Sequence, residues 1–318
     1  MAYKIYIPQA VAREGEDYLL DRGYEIVRGD GTLKEELKRG IADCDAMLLR
    51  TAKVDREVLE AGTRLKIVAR HGAGYDNIDY KAAEELGIWA TFSPLTTGLS
   101  VAEFTISAML SLAKKLDRMS RELRSGNFDY KFTHKGMDLA GKTLGIIGLG
   151  KIGLQVARRA ALGLDMNILA FEARPEGKEF PDYIKLTDLN TLLETADVIT
   201  VHVPGGPATA GMIGAEQFRR MKPSAYFINA SRGGVMDEAA FADAVRNQEI
   251  AGAAIDVFSQ EPPQMDDPLF SLENVLLTPH IASNTQECMA RIALDAAQEI
   301  HLVLSGRSPR FPLNQPSI

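Results

Sequence analysis

The stretch TLGIIGLGKIGLQVARRAALGLDMNILAFE, residues 143–172, decides the fold. It opens on a short apolar strand, TLGIIG (143–148), and closes on a second, NILAFE (167–172). Between them Gly148-Leu149-Gly150-Lys151-Ile152-Gly153 forms a GxGxxG and leads into a helix with Ile152, Val156, Ala157 and Ala160 on its inner face. Glu172 ends the second strand, 19 residues after Gly153. Strand, glycine turn, helix, strand and terminal acid make the βαβ context that this motif needs before it signifies dinucleotide binding. Gly148 permits the tight turn, Gly150 lets the backbone approach a pyrophosphate, and Gly153 lets helix and strand pack closely. The helix start at Lys151 and Ile152 offers unpaired N–H groups and about half a positive charge to phosphates. Glu172 can accept hydrogen bonds from the ribose hydroxyls and repels a 2′-phosphate, which favours NAD over NADP; Arg174 softens that preference.

The pattern extends in both directions. Downstream, DVITVHV (197–203), AYFINA (225–230), AAIDVF (253–258) and NVLLT (274–278) read as strands, giving six in this series. Their continuous apolar runs fit strands covered on both faces. Upstream, KIYI (4–7), YEIV (24–27), AMLL (46–49), KIVA (66–69) and IWA (88–90) form a second, smaller α/β series. A long helix is expected from near Ser100, with Val101, Phe104, Thr105, Ala108, Leu112, Leu116 and Met119 on one face. SVAE reads as a capping box of Ser100 and Glu103. A final helix is expected from about Thr285 to Glu299, followed by a surface tail, RSPRFPLNQPSI. The fold class is therefore α/β, with two doubly wound parallel sheets.

Composition narrows the function classes. The chain has 318 residues, 46% hydrophobic and 25% charged, the profile of an ordinary globular enzyme of about two domains. Lys plus Arg number 36 against 43 Asp plus Glu, a net charge of −7 without a basic run, so nucleic acid is not the expected partner. Two cysteines, Cys44 and Cys288, make neither a disulfide framework nor a zinc site, and a reducing cytoplasm is the expected compartment. No apolar run reaches 18 residues, so neither a membrane span nor a leader is expected.

In open parallel sheets, ligands sit beyond the carboxyl ends of the strands. Four chemistry-bearing residues fall there: Arg232 in NASRGG, Asp256 in AAIDVF, Glu261 in FSQEPP and His280 in LLTPHIAS. This set suits hydride exchange on a 2-hydroxy acid. Arg232 can grip a carboxylate and polarise the adjacent carbonyl with a rigid two-pronged donor. His280 can give or take the hydroxyl proton, and Glu261 bonded to its imidazole would favour the protonated form and hold its orientation. Asp256 is a candidate anchor for the nicotinamide carboxamide. His202, inside a strand, reads as structural and His134 as a solvated loop residue, while His71, in the loop after the KIVA strand, reads either as structural or as lining the site. Lys114, Lys115, Arg118 and Arg121 read as a solvated helix face.

Over essentially its whole length the chain resembles the D-isomer-specific 2-hydroxyacid dehydrogenases. The stretches that carry the resemblance are RHGAGYDNID, SVAEFTISAML, LAGKTLGIIGLGKIG, VPGGPATAGMIG, FINASRGGVMDEAAF, AGAAIDVFSQEPP and NVLLTPHIAS. The resemblance implies that Arg232, Glu261 and His280 are the catalytic set and that Ala73 and Gly74 hold the substrate carboxylate by backbone N–H groups. Pro204 and Thr209 read either as bordering the adenosine or as shaping their own loop. The resemblance implies a split substrate domain (1–98 with 286–318) around a cofactor domain (99–285), hinge closure, NAD as cofactor and a homodimer through the cofactor domain. Arg50-Thr51 and ARHGAGYDNID resemble 3-phosphoglycerate dehydrogenases, which makes Arg50 a candidate phosphate ligand, although Thr96-Thr97 replace the glycine–asparagine pair usual there. No regulatory domain is recognisable in the sequence, so serine feedback is not expected. Glyoxylate/hydroxypyruvate reductases are the close alternative. Formate dehydrogenases, which carry Gln where Glu261 stands, fit less well. An alternative of another class is an NAD-responsive binding protein resembling the C-terminal-binding-protein corepressors.

Overall fold

The computed structural model describes residues 2–29 and 31–317, and the chain divides into two compact units, Met1–Thr97 with Asn284–Ile318, and Gly98–Ser283. In the first unit β1 (Lys4–Ile7), β2 (Glu25–Arg28), β3 (Ala46–Leu49), β4 (Ile67–Arg70) and β5 (Trp89–Thr91) form an all-parallel sheet in the order β2-β1-β3-β4-β5. The order reverses between β1 and β3, which opens a crevice at their carboxyl ends. Alternate side chains serve opposite faces: Met47, Leu49 and Val68 enter one core, while Ala46, Leu48, Ile67 and Ala69 enter the other with Ala296, Ala297 and Ile300 of the last helix.

The second unit holds β6 (Thr143–Ile147), β7 (Asn167–Phe171), β8 (Ile184–Leu186), β9 (Val198–Val201), β10 (Tyr226–Asn229), β11 (Gly252–Ile255) and β12 (Val275–Leu277). All pair in parallel in the order β12-β11-β10-β9-β6-β7-β8, with the switch point between β6 and β9. Ile146 and Ile228 pack on one face, Ile147 and Phe227 on the other, so the apolar runs fill both sides. Phe218, Phe227 and Phe241 are fully buried in a tilted cluster, each side chain worth about 3–5 kcal/mol against alanine.

The expected elements are present, with five corrections. The second sheet has a seventh strand, β8: IKL is three residues long with only Ile184 buried, too short to leave a period. The helix expected from Ser100 begins at Gly98, so Ser100 lies inside it and buried rather than at its cap position; Glu103 approaches Arg159 at 3.8 Å. That helix also stops at Lys114, because Lys115 takes the left-handed conformation (φ 54°), and the helix Leu116–Arg124 that follows buries no residue. Asp256 follows β11 rather than lying within it. The last helix runs further, Gln286–Leu304, and the tail is bound rather than loose. Asn314, 5% exposed, donates to the carbonyls of Tyr80 and Ile88 and accepts from the Ala90 N–H of the edge strand β5, satisfying backbone groups in and beside that strand. Arg310 pairs with the buried Glu299 at 2.7 Å.

Candidate active site

The glycine turn is built by close packing. Gly148 has φ +96°, and a Cβ there would stand 2.8 Å from the His202 carbonyl oxygen on the loop after β9. A Cβ on Gly153 would stand 2.2 Å from the Gly148 carbonyl oxygen, so any side chain would force the helix off its strand. Gly150 is different: a Cβ there would meet nothing within 4 Å, and the helix Lys151–Leu164 that it caps has no side-chain cap. Open space over an uncapped 14-residue helix start, lined by Lys151 and Ile152, fits a pyrophosphate. Glu172 completes the cradle: its Oε2 accepts from the Leu149 N–H at 3.0 Å, tying the acid to the turn. Burial works to raise the Glu172 carboxyl, but Lys178 and the Leu149 and Arg174 N–H groups outweigh it and hold it below its ordinary range. These residues fit an adenine dinucleotide.

The two glycines predict a contrast. Gly150→Val should keep its stability within about 1 kcal/mol and lose dinucleotide binding. Gly153→Val should lose about 3 kcal/mol of stability through overpacking against backbone. Urea midpoints and NADH fluorescence titration separate the two; equal loss of stability would remove the distinction.

On the same sheet Arg232, Glu261 and His280 follow the adjacent strands β10, β11 and β12. His280 sits at φ 52° after Pro279, and its N–H bonds the Asp256 carbonyl at 2.9 Å. Its Nδ1 lies 2.7 Å from Glu261 Oε2, while Glu261 Oε1 accepts the Phe258 N–H at 3.1 Å. Burial pushes the Glu261 carboxyl up, but the hydrogen bond and charge of His280, the Phe258 N–H and the charge of Arg232 prevail and hold it down. An ionised Glu261 can only accept, so Nδ1 carries the hydrogen and Nε2 is left outside that bond. The side chains of His280 and Glu261 remain 47% and 38% exposed, open to a reactant. Arg232 donates to the Ser231 carbonyl at 2.7 Å, and a Cβ at Gly205 would stand 3.0 Å from its Cγ, so glycine there leaves it room.

Asp256 lies 1% exposed beneath this group. Its Oδ1 accepts from Thr278 Oγ1 (2.6 Å) and the Ile281 N–H (2.8 Å), and its Oδ2 from the Ala282 N–H (2.8 Å). Burial pushes its carboxyl up against those donors. Beside the nicotinamide contact expected from sequence, the structure gives Asp256 the work of holding the His280 loop. Thr209 donates to the Pro204 carbonyl at 2.6 Å, so these two shape one loop together. His202 is partly buried with its Nε2 3.0 Å from Thr200 Oγ1, and desolvation of the ring lowers it to about 3.

In the first unit Arg50 follows β3 and donates to the Ala10 carbonyl, while Thr51 and Ala52 are fixed by Gln9 of the loop after β1. Arg70 ends β4 in register with Leu49, so two guanidiniums leave neighbouring strand ends; the sequence reading took only Arg50. Arg70 was missed because it reads as the end of an apolar strand. Arg70 donates from Nε to Asn77 and from Nη1 to the His71 carbonyl. His71 is 3% exposed, and burial, then Arg70 and Arg50, lower it to about 4. The N–H groups of Ala73 and Gly74 have no partner among the described residues, so two consecutive backbone donors are left open there. Among the described residues no cluster could hold a metal ion, and no helix is long and apolar enough to cross a membrane.

A doubly wound sheet with this cradle defines a dinucleotide-binding domain, and comparison with known proteins specifies which. Residues 106–282 match the family model described as D-isomer specific 2-hydroxyacid dehydrogenase, NAD binding domain. A D-3-phosphoglycerate dehydrogenase of Archaeoglobus fulgidus is 40% identical over 318 residues, covering 99% of this chain and 60% of that protein. A glyoxylate reductase of Thermofilum pendens is 39% identical over 288 residues, 89% of this chain and 85% of that one. Among solved structures, an NADPH-dependent glyoxylate/hydroxypyruvate reductase of Sinorhizobium meliloti, in complex with NADP and malonate, superposes with a TM-score of 0.86 at 28% identity and full coverage of both chains. The chain belongs to the D-isomer specific 2-hydroxyacid dehydrogenase family, and its second unit carries that family's NAD-binding domain. It spans about 60% of the length of the archaeal phosphoglycerate dehydrogenase it matches.

Proposed function

We propose that the protein is an NAD-dependent oxidoreductase acting on a D-2-hydroxy acid and its 2-oxo acid, of the 3-phosphoglycerate dehydrogenase type. The observation that carries the reading is the His280–Glu261 pair at 2.7 Å, on strand ends next to that of Arg232 and in the same unit as the glycine cradle. The nicotinamide, when bound, supplies or takes up the hydride. Gly148, Gly150, Lys151, Ile152, Gly153 and Glu172 hold the dinucleotide, with Pro204, Thr209 and Asp256 as further contacts. Arg232 grips the substrate carboxylate and draws electron density from the neighbouring carbonyl. His280 Nε2 gives its proton to the oxygen in reduction and removes it in oxidation, and Glu261 supports the charged ring. Ala73 and Gly74 offer N–H groups to the substrate carboxylate, and Arg50 with Arg70 supports a phosphorylated substrate.

A glyoxylate/hydroxypyruvate reductase is the second reading, favoured by the similarity to the Thermofilum and Sinorhizobium enzymes. A homodimer fits the second unit, where Leu116, Leu123 and Leu162 are 55%, 58% and 65% exposed. The deciding experiment follows NADH absorbance with phosphohydroxypyruvate, hydroxypyruvate, glyoxylate and branched 2-oxo acids. We expect phosphohydroxypyruvate to give the highest kcat/KM, with Arg50→Ala erasing that advantage. A preference for glyoxylate would establish the second reading, and a flat trace across the panel would overturn the enzyme reading.

A further inference from the structure

Both oxygens of Glu172, the acid at the end of β7, are engaged within the protein. Oε2 accepts the Leu149 N–H at 3.0 Å; Oε1 accepts the Arg174 N–H at 3.2 Å and Lys178 Nζ at 3.0 Å. The lysine is returned to the acid by a tight turn. The Lys178 N–H bonds the Pro175 carbonyl at 3.1 Å, and Gly177, at φ +72°, takes the third position of that turn as glycine can. Glu172 is 12% exposed and Lys178 is 46% exposed, so the ammonium stands on the solvent side of the carboxylate.

We propose that Lys178 sets cofactor selectivity by neutralising Glu172, so that the site accepts a 2′-phosphorylated dinucleotide beside the unphosphorylated one. The inference rests on the cofactor reading of the glycine cradle. A bare carboxylate at the ribose would repel a 2′-phosphate at close range. With an ammonium 3.0 Å away the local charge is close to zero, and two of the three Nζ donors remain for phosphate oxygens. The exposed Arg174, four residues before Lys178, supplies a second cation on the same loop. The NAD preference expected from Glu172 alone thus becomes a relaxed one. Lys178 escapes a reading by motif because the turn, not sequence adjacency, brings it back.

The test is calorimetric titration of the full chain with ADP-ribose and with 2′-phospho-ADP-ribose, a readout independent of turnover. For the wild type the two Kd values should lie within about tenfold of each other. Lys178→Ala should widen their ratio about tenfold against the phosphorylated ligand, and Lys178→Arg should preserve it. An unchanged ratio, or equal weakening of both ligands in Lys178→Ala, would overturn the proposal while leaving the dinucleotide cradle intact. If the wild type binds neither ligand at millimolar concentration, the cradle reading falls and the proposal falls with it.

Discussion

His280→Ala should bind NADH within about threefold of wild type and lose ~10²–10⁴ in kcat, the range that general acid–base catalysis contributes. The affinity should hold because the imidazole belongs to the loop after β12, while the cradle is formed by the turn after β6 and by Glu172. The turnover should fall because Nε2 is the nitrogen left free to exchange a proton once Nδ1 is committed to Glu261 at 2.7 Å. Glu261→Gln offers a graded control. An amide can still accept from Nδ1 but does not stabilise the imidazolium, so a smaller loss in kcat with an altered pH profile is expected. Steady-state rates beside NADH fluorescence titration measure both quantities. A near-normal kcat in His280→Ala would remove the imidazole from the acid–base role.

Arg232→Gln should lower kcat/KM by ~10²–10³, the scale of deleting one preorganised charged donor at a developing oxyanion. KM for the 2-oxo acid should rise with it, since the proposed role gives the same fork the substrate carboxylate to bind. Arg232→Lys should recover only part, because an ammonium lacks the planar two-pronged geometry. A second effect has a definite sign. The Arg232 charge is one of the influences that keep Glu261 ionised, so its removal lets the Glu261 carboxyl titrate at higher pH. The acidic limb of the pH–rate profile should therefore move upward in Arg232→Gln. A limb that stays in place while kcat/KM falls would separate Arg232 from Glu261 and leave it a substrate-binding role alone.

The glycine turn and the strand-end residues were legible because each rests on local chemistry. A positive φ at Gly148, a carbonyl 2.2 Å from where a Gly153 side chain would begin, and apolar runs on both faces leave direct traces in residue type. Arg232, Glu261 and His280 could be singled out because parallel sheets present their carboxyl ends to ligands. The strand β8 was not legible, since three residues of which only Ile184 is buried carry no period. The break at Lys115 was hidden too, because helical spacing continues through Leu116 and Met119 although the buried surface ends before them. The tail reads as polar, yet Asn314 is buried because an edge strand needs its backbone groups satisfied.

From the sequence alone came two α/β units, a dinucleotide cradle and the residue types of a dehydrogenase site, because periodicity, glycine placement and strand-end position are properties of short stretches. Tertiary structure decided how those residues are committed. It set which ring nitrogen of His280 is free, bound the Asp256 carboxylate to the loop beneath that ring, put Arg70 beside Arg50, and turned Lys178 back onto Glu172. Hydrogen bonds and charge pairs form between atoms that the folded chain brings within about 3 Å, and sequence separation does not encode that distance.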